Sequence, residues 1–131
     1  MTEFAEVKTQ DLSGVALDWV VAQIDEVKTM MLRVQSQEAK KPFALFGSLA
    51  LPVGSGEEGY SPSTCWHCGG PLIEKLKIGF GPARGGWVAH PNRPNEPTDW
   101  LRAEAPLVAI CRAIVADKLG MVVSVPKELL S

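Results

Sequence analysis

Apolar positions recur along this chain in two rhythms, and each rhythm predicts an element. From 105 to 119, Leu107, Ile110, Cys111, Ile114 and Val115 fall at the three- and four-residue intervals that stack side chains on one helix face. Pro106 suits the first turn, where a missing N–H costs nothing, and Gly120 supplies a C-terminal cap. A second helix is predicted over 13–23, with Ser13 as its cap and Leu17, Val20, Val21 and Ile24 as its apolar stripe. Leu76, Ile78 and Phe80 alternate with Lys75 and Lys77, the period-two signature of a half-buried strand. Shorter strands are predicted at 5–9, 29–35, 43–50, 87–90 and 121–125, with a turn over 126–130. Two main helices and a small sheet of short strands make an α+β fold.

Turn-forming residues divide the chain. Ten prolines and twelve glycines fall mostly between Pro42 and Pro106. The reading is a single compact domain over 1–131 with ordered ends and a loop-rich middle. Within it, 25–59 is a variable insertion or an oligomerisation arm, being long, fairly apolar and without a strong pattern of its own. A chain of 131 residues is long enough to bury a core.

Charge and cysteine content narrow the function classes. Thirteen Lys and Arg against fifteen Asp and Glu give a net charge of −2, without the cationic excess a nucleic-acid binder needs. No apolar run approaches the roughly 20 residues of a membrane span. The start, MTEFAEVKTQ, has the pattern of neither a signal nor a transit peptide. Three cysteines without an export signal point to a reducing compartment, the cytoplasm.

Several strings invite chemistry. Gly54-Ser55-Gly56-Glu57-Glu58-Gly59 matches a dinucleotide-binding fingerprint, but Tyr60-Ser61-Pro62 follows where a helix should open, and two glutamates repel phosphate. It reads as a loop. Cys65-Trp66-His67-Cys68 is a C-x-x-C pair, a form that gains reactivity at a helix N-terminus. Glycines and a proline follow at once, which argues against a long helix there. As a zinc site it offers two thiolates and one imidazole of the four ligands required, and His90 and Cys111 stand isolated. The expectation is incidental cysteines, no metal and no cofactor. His90 reads as a loop histidine, Cys111 as a buried inert thiol, and Met30 and Met31 as core fillers.

The stretch 60–71 is the candidate binding element. Ser61, Ser63 and Thr64 bring hydroxyls, Gly69 and Gly70 permit close backbone approach, and Trp66 offers a ring for stacking. A turn satisfying its own backbone would use the same residues. Trp66, Trp87 and Trp100 fall in or beside predicted loops, where large rings either meet a partner or close a small core. Arg112, at the edge of the apolar face of the last helix, would serve either a phosphate or a carboxylate such as Glu74 or Asp117.

Three blocks carry a family resemblance. Val7-Lys8-Thr9 with Leu12-Ser13-Gly14 and Ala16-Leu17-Asp18-Trp19 open it. Tyr60-Ser61-Pro62-Ser63-Thr64, Trp66 and Gly69-Gly70-Pro71-Leu72-Ile73-Glu74 form its centre. Pro106-Leu107, Ala109, Arg112, Val115-Ala116, Lys118-Leu119-Gly120 and Val125-Pro126 with Glu128-Leu129-Leu130 close it. Over 7–24, 60–76 and 106–130 the chain resembles the phage NinX-like family of temperate phages and prophages. The resemblance implies a phage accessory protein of the bacterial cytoplasm, and it places Ser61, Ser63, Thr64, Trp66, Gly69, Gly70 and Arg112 on family-matching positions. At Cys65 and Cys68 this chain departs from the family's polar pattern, which argues against a family-wide thiol or metal role.

The expected function is non-enzymatic binding of a small phosphorylated or nucleotide-like host molecule, an anti-defence sponge, at the junction of the 61–70 loop with the last helix. Donors, glycines and a ring are present without a convincing nucleophile, base or metal set. The alternative is a protein-interaction module docking through exposed tryptophans. A hydrolase using His90, Asp99 or Glu74 is the third reading. A homo-oligomer, by default a dimer, is expected from apolar surface on so small a chain.

Overall fold

The computed structural model describes residues 3–32, 40–54, 59–91 and 100–130. Strand β1 (Phe4–Lys8) pairs antiparallel with the last strand, β8 (Val122–Pro126), in a register running from Phe4 opposite Pro126 to Lys8 opposite Val122. A 3-10 turn over Thr9–Asp11 then leads into α1 (Gly14–Ile24). Gly14 takes φ +58, a left-handed conformation open to glycine, and so redirects the chain into the helix. Ser13 stands at the cap position but makes no side-chain capping bond.

Strands β2 (Lys28–Leu32), β3 (Lys41–Phe46) and β4 (Leu49–Pro52) form an antiparallel meander, and a turn at Gly47 divides the predicted 43–50 strand in two. The segment 25–59 therefore contributes a sheet of its own. A second three-stranded antiparallel sheet joins β5 (Ile78–Ala83), β6 (Gly86–Pro91) and β7 (Leu101–Ala103).

Helix α3 (Pro106–Leu119) occupies the centre, packed on the β5–β7 sheet and against α1 and the helix α2 (Trp66–Leu76). Burial extends beyond the predicted stripe to Ala109, Ala113 and Ala116, as expected of a helix covered on several sides. Leu17, Val20 and Val21 of α1, Leu72 of α2, Ala89 and Leu101 of the sheet, and Val123 and Val125 of β8 complete one continuous core.

Three expectations change. The segment after Cys65 is an eleven-residue helix with Pro71 inside it, where sequence argued against a long helix. Gly69 is there because α2 lies hard against the preceding turn: a Cβ at 69 would stand 2.3 Å from the Pro62 carbonyl oxygen. Lys75 and Leu76 are consequently helical, and Lys77, at φ 55, reverses the chain before β5. The predicted alternation does not hold: Leu76 is helical, and of the two apolar strand positions meant to share a buried face Ile78 is buried while Phe80 is exposed. His90 lies within β6 rather than in a loop. Of the glycine-rich loop, 55–58 lie outside the described residues.

Candidate functional site

The 60–65 turn sits against α1. Its Ser61 carbonyl accepts from the Thr64 and Cys65 N–H groups at 3.0 and 2.8 Å, and the Ser63 N–H donates to Asp18 Oδ1 at 2.8 Å. Burial drives the Asp18 carboxyl up to about 6, although the Ser63 hydroxyl and N–H both pull it down. Ser61, Pro62 and Ser63 are buried, and the Ser61 and Ser63 hydroxyl oxygens lack a hydrogen-bond partner of good geometry among the described residues. Tyr60 is buried too, its hydroxyl 3.5 Å from Asp25 Oδ2, and Asp25 also pairs with Lys75 at 2.7 Å.

The predicted site residues thus divide. Ser61, Ser63 and Gly69 lie inside the wall between helices, and Gly70 is half-buried. Thr64 and Trp66 are exposed, and with Cys65, His67 and Cys68 they line a cavity of about 610 Å³ at the N-terminus of α2. Arg112 does not join them. Its Nε donates to the Leu12 carbonyl at 2.8 Å and Nη1 to the Arg102 carbonyl, and it borders a separate depression with Gln10, Trp87 and Arg102. The guanidinium meets backbone carbonyls, not the carboxylates of Glu74 or Asp117 that sequence offered. Together with Thr9 Oγ1, which donates to the Gly120 carbonyl at 2.7 Å, these contacts join the three blocks that carry the family resemblance: opening to centre through Asp18 and Ser63, opening to close through Thr9 and Arg112.

A further cavity, about 630 Å³, opens at the N-terminus of α1. Ser13, Gly14, Val15 and Ala16 form one wall, and Lys40, Lys41, Pro52, Val53 and Gly54 line the other side. The first-turn N–H groups have no acceptor within the helix, so backbone donors and two lysine residues line one cavity. Asp11 and Glu128 bring carboxylates to its rim. Sequence reasoning missed this site: Lys40-Lys41 and Ser13-Gly14 are each unremarkable, and only the fold brings them together.

Aromatic rings form a row from Trp66 of α2 onto strands β5 and β6. Trp66 and Phe80 have centroids 6.5 Å apart, and Phe80 and Trp87 6.2 Å apart. The His90 ring meets the exposed Trp100 at a tilt of 44°, with centroids 4.4 Å apart. Cys111 is fully buried, and burial, with Asp18 nearby, pushes its thiol far above the usual range. Among the described residues, no three His, Cys, Asp or Glu side chains are placed to hold a metal ion. Nor, among them, is any helix long and apolar enough to cross a membrane.

The fold and site define a small α+β domain whose polar motif residues largely hold its parts together. A family model described as "Bacteriophage P22, NinX" matches residues 8–118. The chain belongs to this phage family. No curated protein matches it.

Proposed function

We propose that this phage accessory protein acts by binding rather than by catalysis, sequestering a small phosphorylated or nucleotide-like molecule in the bacterial cytoplasm. The observation that carries this reading is the cavity at the N-terminus of α1, where Lys40, Lys41, the Ser13 hydroxyl and first-turn amides suit a phosphoryl group. Its volume of about 630 Å³ is in the range of small-molecule sites. The ligand class is the one sequence suggested; the charged part of the site moves from Arg112 to the lysines, and Thr64 and Trp66 belong to the neighbouring cavity. Removal of a host defence signal is the benefit such binding brings to a phage, by association with its context.

The test is mass spectrometry of small molecules extracted from purified protein, followed by thermal shift with nucleotides. A nucleotide should raise Tm and be recovered unchanged. Replacing both Lys40 and Lys41 by Ala should weaken its binding by about 1.5–3 kcal/mol, the scale of hydrogen bonds to charged groups. Arg112→Ala should leave affinity intact while costing stability. A ligand returned chemically altered would favour the hydrolase reading, and the absence of any shift would remove the sequestration reading.

A second reading, docking on a host or phage protein, draws on the exposed row of Trp66, Phe80 and Trp87, whose first two members are 52% and 40% exposed. Self-association fits the end of the meander, where Phe46 and Leu49, paired across β3 and β4 on one face, are left uncovered. A two-fold dimer through this face is the arrangement proposed.

A further inference from the structure

We infer that Cys65 and Cys68 form a reversible dithiol–disulfide couple that reacts with low-molecular-weight disulfides at the mouth of α2. This goes beyond the ligand-binding reading and does not depend on it. The formation of α2 removes the sequence objection to such a role, since Cys65 is the helix N-cap and Cys68 lies in the first turn. The Cys68 N–H donates to the Cys65 carbonyl at 3.1 Å, closing a four-residue turn. Such a turn brings its end Cα atoms within about 7 Å, and i,i+3 positions of regular helix lie about 5 Å apart, within the span of a disulfide.

The surroundings favour exchange between these two sulfurs. Cys65 approaches the Cys68 thiol closely enough to influence its proton affinity. The Cys68 thiol reaches the Gly59 carbonyl at 3.6 Å. Both residues line the open cavity of about 610 Å³, which gives a small disulfide access. Cys111, fully buried on α3, is outside it.

Cys65 is only 7% exposed and Cys68 is half-buried, so Cys68 attacks first. Its thiolate displaces one thiolate from the small disulfide RSSR and forms a mixed disulfide. The Cys65 thiolate then attacks the Cys68 sulfur, forming the Cys65–Cys68 bond and expelling the second RS⁻. The protein loses two electrons and two thiol protons, and RSSR is reduced to two RSH. Burial and the neighbouring Cys65 raise the Cys68 pKa, against the pull of the Ser61 backbone, so the reaction accelerates as pH rises toward that of the thiol.

The experiment treats the reduced, folded full-length chain with glutathione disulfide at mildly alkaline pH, then traps remaining thiols and maps them by mass spectrometry. Of the three free cysteines, two should be lost, with a mass lower by two hydrogen atoms and a joined Cys65–Cys68 peptide. Dithiothreitol should restore them. Cys65→Ser should stop at a glutathione adduct on Cys68, and Cys68→Ser should suppress the reaction. The inference is overturned if the wild-type chain keeps all three thiols, or if a glutathione adduct persists on Cys68 with Cys65 present. Should a variant fail to fold, the wild-type peptide map decides alone. No nucleotide enters the assay, so its outcome is separate from that of the binding test.

Discussion

Around α3 the core draws on α1, α2, the β5–β7 sheet and β8, whereas beneath the meander, among the described residues, only Ala22, Ala44, Val53 and Tyr60 are buried as a cluster. The first region closes on itself. The second is thin, bridged to the first by Trp19, and leaves Met30 51%, Phe46 43% and Leu49 56% exposed. The difference teaches that apolar content alone does not make a core: a helix covered on several sides hides its side chains, while a three-stranded sheet with one packed face does not. Stability resides in the first region, and surface available to a partner resides in the second.

The largest expected effect lies at the centre of that contrast. Ile114→Ala should cost roughly 2–5 kcal/mol in urea unfolding, through lost transfer energy and the cavity left in a site that is 1% exposed. A loss below about 0.5 kcal/mol, the scale of surface changes, would mean that α3 is not the core of the molecule.

Asp18 gives the next effect, and it sharpens the comparison because the carboxylate sits on α1 in the first region. Ser63 bonds it, and its charge is felt at Tyr60, Cys68 and Cys111. Its folded pKa of about 6 exceeds the ordinary 3.8, so the folded state holds the proton more tightly. The stability this group contributes is complete below pH 3.8 and is lost as pH rises through about 6. The loss is roughly 3 kcal/mol at 1.36 kcal/mol per unit. Urea midpoints measured across that window should fall with pH in the wild type and stay flatter in Asp18→Asn, which keeps an acceptor for the Ser63 N–H. An equal slope in both would assign the burial cost elsewhere.

The smallest effect on folding belongs to the meander. Leu49→Ser should change monomer stability by no more than about 0.5 kcal/mol, yet shift light scattering from dimer toward monomer. A wild-type chain that stays monomeric at high concentration would break the link between this surface and self-association.

Legibility in the sequence followed the same division. Helix α3 was readable because its apolar spacing, its Pro106 start and its Gly120 end agree with one another. Helix α2 was not, because Gly69, Gly70 and Pro71 are intrinsic breakers and their tolerance is a tertiary effect: Gly69 lets the helix touch the Pro62 carbonyl, and Leu72 anchors it in the core. For the candidate site, sequence picked out a stretch of unusual residues but not which way they face. Ser61 and Ser63 are equally suited to holding a turn or a ligand, and only burial separates the two uses. The Lys40–Ser13 juxtaposition depends on how the meander is laid on α1, which no local pattern encodes.

The pairing of β1 with β8 bears on the order of events during synthesis. Thr9 finds its acceptor 111 residues further on, at Gly120, and the Lys127 N–H closes on the Glu3 carbonyl. Chain leaving a ribosome presents β1 well before its strand partner β8, so β1 waits with an unpaired edge while everything between the two is made. Glu3, Glu6 and Lys8 place a charge at or beside alternate positions of that waiting strand, a distribution that discourages pairing with other chains until β8 arrives.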